Sequence, residues 1–143
     1  MKGVTHLLLG AAIGLYIGYD ALSSITASMV SGTSALIPDL DLHLGHRKTL
    51  HNIFALAVFT IMVSIILDHI GVRNELIPKA VALGWLTHIL SDVLNIQGVY
   101  LFYPFSEYSI SLKIARSDSM VLNILVSLLS IILIVLRILQ FTY

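Results

Sequence analysis

The fifteen residues from Ile37 to His51, IPDLDLHLGHRKTLH, concentrate the chemistry of this chain. They hold two of its eight carboxylates, three of its six histidines and two of its eight basic residues, with apolar sequence on either side. Carboxylates and imidazoles gathered in one short connection are what a hard or borderline divalent cation requires, since it takes anionic oxygen and neutral nitrogen at about 2.0–2.2 Å. Asp39, Asp41, His46 and His51 are the candidate ligands here. The rest of the chain reads as a scaffold that brings more of them.

Further candidates come from outside the loop. His6 lies near the start of the first apolar run, and His88 and Asp92 lie near the end of a later one. The i, i+4 step between His88 and Asp92 puts them on one helix stripe, about 6 Å apart along the axis. That is a two-ligand edge.

The elements that must position these residues follow from composition. The chain is 57% apolar and only 11% charged, against a soluble norm of about 25% charged, and its mean hydropathy is +0.94. It reads as one membrane domain over residues 1–143. Formal charge is zero, so nothing calls for nucleic acid, and the absence of cysteine removes disulfides, thiolate metal sites and cysteine nucleophiles. The first apolar run exceeds signal-peptide length and carries a histidine, which predicts a retained helix.

Five spans are expected. Val4 to Tyr19 carries Gly10, Gly14 and Gly18 on one face, a spacing that permits close helix approach. Ala21 to Leu36 is rich in Ser, Thr, Ala and Gly and reads as a span packed inside the bundle; Pro38 ends it. These small-residue faces suit packing within the chain and a homo-oligomer equally. Leu50 to Leu67 and Ile77 to Leu94 give the third and fourth spans, and Met120 to Phe141 is long enough to cross about 30 Å of hydrocarbon. Between the last two, Asn95 to Asp118 carries boundary aromatics and leaves a short hairpin and an interfacial lid both open. The fold class is thus an all-α polytopic bundle with a metal site near one membrane face.

Five spans place the N-terminus, the central loop and the 95–118 connection on one side. That side holds Lys2, Arg47, Lys48, Lys113 and Arg116 against Arg73, Lys79 and Arg137, so the positive-inside rule makes it cytoplasmic. All seven candidate ligands fall there too. Taken singly, His6 has a bland reading as an interfacial histidine, Asp39 and Asp41 as a solvated turn, and His88 with Asp92 as a buried hydrogen bond. Their arrival on one face selects against all three together. His43 is set aside with Asp20, Asp68, His69, Glu75 and Asp118 as a solvated or boundary residue.

The motifs resemble the membrane-bound metal-dependent hydrolases, the YdjM-like, LexA-regulated inner-membrane hydrolases. The matching residues are His6, then Pro38-Asp39-Leu40-Asp41, then His46-Arg47 with His51, and later Gly84-Trp85, His88, Asp92, Gly98 and Pro104-Phe105. They cover residues 3 to about 112. The departures are Leu42, where a histidine often stands, and Leu50 and Asn52 around the second histidine.

The resemblance implies hydrolysis at a membrane-embedded metal centre. A bound divalent cation brings the pKa of its water toward about 7. Zinc is expected first, with manganese or magnesium as alternatives and one or two ions, His46 or His51 serving as acid/base and Arg47 as a phosphate clamp. A site just under the headgroup plane suits an amphiphile, a lipid phosphoester, with membrane lipids as partners. The rival readings are a divalent-metal or proton transporter and a structural metal-binding membrane protein. A transporter needs access from both faces and commonly shows internal repeats, of which the sequence has none.

Overall fold

In the computed structural model, which describes residues 1–43 and 48–142 and only the backbone of 41–43, five α-helices carry the chain. They are α1 (Gly3–Leu15), α2 (Ala21–Ser34), α3 (Ile53–His69), α4 (Leu76–Val93) and α5 (Met120–Gln140), with a 3-10 turn over Ile37–His43 between α2 and α3. Among the described residues there is no strand. The 95–118 connection makes two isolated bridge pairs, Asn95 with Ala115 and Val99 with Ile110, and Gly98 takes the positive φ of +67° that this return needs.

Local chemistry sets the helix ends. Asp20 accepts from the Ser23 amide at 2.7 Å while Ser23 Oγ accepts from the Asp20 amide at 3.0 Å, a reciprocal cap that starts α2. Asn52 starts α3 by accepting from the Ala55 amide at 2.8 Å. Its Nδ2 also donates to the carbonyls of Lys48 and Thr49. The helix therefore begins at Ile53 rather than at Leu50. α1 stops at Leu15, short of Tyr19, because Tyr16 N bonds Ile13 O and Ile17 N bonds Gly14 O, the tightened last turn of a closing helix.

The core of the bundle is α1, α2 and α4, drawn together by small residues. A Cβ on Gly14 would stand 2.5 Å from the Ala27 carbonyl and 2.6 Å from Ser31 Cβ, and one on Gly10 would stand 2.7 Å from Ala35 Cβ. On the other flank of α2, Gly84 of α4 sits directly on the Ser31 carbonyl. Two hydroxyls stitch across these contacts, Ser28 Oγ to Ala11 O at 2.9 Å and Ser34 Oγ to Val81 O at 2.7 Å. Small residues at helix interfaces work this way because they let backbones approach and add interhelical hydrogen bonds. The glycine face of α1 is thus used within the chain.

The two outer helices attach differently. α3 packs on α4 and buries none of its residues fully. α5 packs on α1 and is tied at both ends. Asn123 Oδ1 accepts from the Lys2 amide at 2.8 Å and the Thr5 hydroxyl at 2.9 Å, while its Nδ2 donates to the carbonyls of Ser117 and Ser119. At the far end Arg137 donates to the carbonyls of Gly18 at 2.9 Å and Leu15 at 3.3 Å, satisfying acceptors that α1 leaves open. By length and apolar composition α5 alone qualifies as a membrane-crossing helix among the described residues; α1 and α3 are apolar but have 13 and 17 residues.

Two variants test this packing. Gly84→Ala forces α4 off the Ser31 carbonyl and is expected to destabilise the protein by about 1–3 kcal/mol. Gly3→Ala, whose added methyl meets only Leu36 Cδ2 at 3.7 Å, should stay within about 0.5 kcal/mol; thermal denaturation in detergent compares them. Asn123→Ala removes four side-chain hydrogen bonds and should cost about 1–3 kcal/mol. Faster proteolysis between residues 117 and 120 is its local signature.

Candidate metal centre

The site forms where the first turn of α1, the 3-10 turn, the entrance to α3 and the end of α4 meet. His6, His51, His88 and Asp92 are buried there, and Asp39 is the half-exposed member. Two overlapping triads have ligand atoms within 4.8 Å of one another: His6, Asp39 and His88, and His51, His88 and Asp92.

Two imidazole nitrogens face each other, and a carboxylate oxygen of Asp39 and one of Asp92 each lie close to both. His88 Nε2 lies 3.1 Å from His51 Nε2, 3.6 Å from Asp39 Oδ1 and 3.7 Å from Asp92 Oδ2. His51 Nε2 lies 3.7 Å from Asp39 Oδ1 and 3.8 Å from Asp92 Oδ2. A tetrahedral shell with ligands at about 2.0–2.2 Å sets its donors about 3.3–3.6 Å apart. The separations within His51–His88–Asp92 and within His51–His88–Asp39 bracket that range, so three donors at a time fit a divalent cation.

The surrounding hydrogen bonds fix which atoms point inward. His88 Nδ1–H donates to the Ala35 carbonyl at 2.7 Å, which leaves a lone pair on Nε2. Ser91 donates its hydroxyl to the His88 carbonyl at 2.8 Å, so its oxygen accepts from His6 Nδ1–H at 2.9 Å. His6 Nε2 then carries a lone pair as well. Among the described residues it has no hydrogen-bond partner and lies 3.4 Å from Asp92 Oδ1. The His6 and His88 rings stack with centroids 3.8 Å apart.

Asp92 is divided between its two oxygens. Oδ1 accepts from Asn95 Nδ2 at 2.7 Å and from the Met1 amino nitrogen at 2.6 Å, which turns Oδ2 toward His51 and His88. At the rim, burial of Asp39 opposes its ionisation. The His51 imidazole facing it at 3.7 Å favours ionisation, and the net shift holds the carboxyl below its ordinary range. Asp39 is therefore an anion available to a cation.

Of the seven residues expected from the sequence, the structure brings five together: His6, Asp39, His51, His88 and Asp92. Asp41 sits on the 3-10 turn, but its side chain lies outside the described residues, as do His43's side chain and the whole of His46 and Arg47. His69 and Asp68 are exposed at the other end of the molecule, and Glu75 pairs with Lys79 on the surface at 2.8 Å. Sequence reasoning passed over Ser91 and Asn95. Their signal was present, because His88, Ser91, Asp92 and Asn95 at steps of three, four and seven make one polar stripe on an apolar helix.

The start of the segment that carries His51 is fastened to the 95–118 connection. Lys48 Nζ stands 4.9 Å from the centroid of the Tyr100 ring and 3.6 Å from Glu107 Oε1, so the connection and the central loop meet through a cation–π contact.

Comparison with known proteins gives one match. The family model described as YdjM inner membrane protein aligns with residues 1–142, nearly the full chain and all five clustered residues. No curated protein and no solved structure matches. On that coverage the chain belongs to the YdjM inner membrane protein family.

Proposed function

We propose that this protein is a multi-pass membrane hydrolase that holds a divalent cation in its His/Asp cluster and cleaves a phosphoester of an amphiphilic substrate. The observation that carries the reading is the pair of His51 Nε2 and His88 Nε2, 3.1 Å apart, with Asp39 Oδ1 and Asp92 Oδ2 each 3.6 to 3.8 Å from both. A cation bound there supplies Lewis acidity that brings the pKa of water toward about 7. Zinc suits two imidazoles and two carboxylates; manganese or magnesium would prefer a shell richer in oxygen.

The remaining roles belong to the chain. Asp39 is 31% exposed against 2% or less for the other three donors, so a polar substrate reaches the site past Asp39. His6 sits on the opposite oxygen of Asp92, with its Nδ1 proton held by Ser91, and Nε2 is the atom placed to hold or move a proton. Asn95 steadies Asp92. Arg47 or Lys48 meets the phosphate charge, Arg47 with the better fork.

Helix lengths support the membrane placement. α1 is about 20 Å long and α5 about 31 Å, and Asn123 holds their site-side ends level. α1 therefore ends about 10 Å short on the far side, where Arg137 reaches in to its carbonyls. The cluster lies at the level where α5 enters the membrane, at the headgroup boundary. Among the described residues both ligand triads lie at this one end, an asymmetry that favours an enzyme over a transporter open to both sides. The positive-inside balance makes the site face cytoplasmic.

Metal analysis of the detergent-purified protein, paired with phosphate release from a panel of lipid phosphoesters, tests the proposal. The wild type should carry metal, turn over, and stop on chelation. His88→Ala with Asp92→Ala, and separately His51→Ala, should lose the metal, while His69→Ala keeps it. Metal without turnover on any phosphoester sinks the hydrolase reading and leaves a structural ion. Equal metal content in the wild type and the site variants sinks the metal centre.

A further inference from the structure

A second feature lies on the outer side of the same helices. Because α3 buries none of its residues fully, its seam with α4 stays open as a groove of about 370 Å³. Phe54, Val58 and Met62 of α3 form one wall, Trp85 of α4 the floor, and Tyr103 with Pro104 the cover at one end. Thr49 and Asn52 make the polar rim of that end, one residue either side of the Leu50–His51 pair.

We propose that this groove seats the hydrocarbon tail of the phosphoester substrate. The assignment rests on the amphiphile reading of the site given above. Three observations select this occupant. First, the groove's head end adjoins the cluster: Trp85 Nε1–H donates to the Leu50 carbonyl at 2.9 Å, and the next residue, His51, is a candidate ligand. Second, from Asn52 to Met62 the groove runs about 15 Å along α3, half of a hydrocarbon core of about 30 Å. That is the depth of one leaflet.

Third, the seam changes character below Met62. Its continuation past Ser64 is lined by Asp68, Arg73, Glu75 and Lys79, charges that a hydrocarbon chain avoids. The apolar slot starts beside candidate ligands and stays apolar over the depth that a single tail needs, the charges coming only at the far end of α3, where Asp68 is about 24 Å from Asn52.

Trp85 provides a direct readout. It is the chain's one tryptophan, and at 1% exposure it has little contact with surrounding lipid or detergent. Full-length protein in detergent would be titrated with lysophosphatidic acid bearing a dibrominated acyl chain, a short-range quencher of indole fluorescence, with metal and again with chelator. Quenching should saturate at about one lipid per chain and reverse on adding the unbrominated lipid. Competition by a polyprenyl phosphate extends the same tail site to branched chains, and competition by the straight-chain lipid alone restricts it to acyl chains.

The variant Val58→Phe with Met62→Phe fills the groove from two exposed positions and should weaken the apparent affinity about ten-fold, with metal content and melting temperature unchanged. Quenching that rises linearly with lipid, and equally in the variant, overturns the proposal. The two readings fail separately. Saturable quenching without phosphate release leaves the groove assigned and removes the hydrolase. Chelator-sensitive phosphate release with the same KM for short and long chains, together with linear quenching, keeps the hydrolase and removes the groove.

Discussion

Five ionisable side chains from four separate segments meet in one small volume of an otherwise apolar bundle, and that convergence is the constraint to which the rest of the structure answers. Burying charge costs several kcal/mol per group even after relaxation. His51 Nε2 and His88 Nε2 share one hydrogen bond at 3.1 Å, while His6 Nε2 faces a carboxylate with a lone pair and gains nothing from that proximity. With His88 Nδ1 committed to Ala35 and His6 Nδ1 committed to Ser91, both Nε2 atoms face inward as acceptors. A cation resolves several of these conflicts at once, and a proton resolves them only one pair at a time.

Such a cluster needs a frame that cannot relax by tenths of an ångström, and the small residues of α1, α2 and α4 provide it. Glycine against a carbonyl leaves no side chain to rotate, so the separation of α4 from α2 is set by backbone contact at Gly84 and Ser31. His88 is one turn along α4 from that contact, and Ala35 is one turn along from Ser31. The 2.7 Å bond between them follows from the same approach. Weak hydropathy in α2 is therefore the cost of a rigid site, since serine, alanine and glycine were needed where leucine would have held the helices apart.

Much of this was legible in the sequence because topology is coarse. Once five helices alternate direction, the ends that carry His6, Asp39, His51, His88 and Asp92 must share a face, whatever the packing angles. The helix positions followed from hydropathy and from Pro38, and the Asp20 turn from its shortness. Less visible were features that depend on one atom's partner. Asn52 looked like a departure beside the second histidine, yet it caps α3 through Ala55. Asn123 and Arg137 vanished inside a run averaged as apolar, although between them they fasten α5 to both ends of α1. The split of Asp92 between Asn95 and the imidazoles needed three-dimensional neighbours to appear at all. For Asp41, His46 and Arg47, whose side chains lie outside the described residues, the expectations rest on the sequence.

The attachment of the ligands is uneven, and this bears on how such a site works. His6, His88 and Asp92 ride on the helices locked by backbone contact, but His51 arrives on the segment leading into α3, the helix that is least buried. Its segment is held by hydrogen bonds as well as by burial of the His51 ring: Trp85 to the Leu50 carbonyl, Asn52 to the carbonyls of Lys48 and Thr49, and the Ile53 amide to the Leu101 carbonyl. Hydrogen bonds at a boundary exchange with water at a net cost of about 1 kcal/mol each, whereas moving α4 off α2 breaks a packed interface. Any adjustment of the centre to substrate therefore falls on the His51 side, where α3, the aromatic connection and the rim of the groove meet.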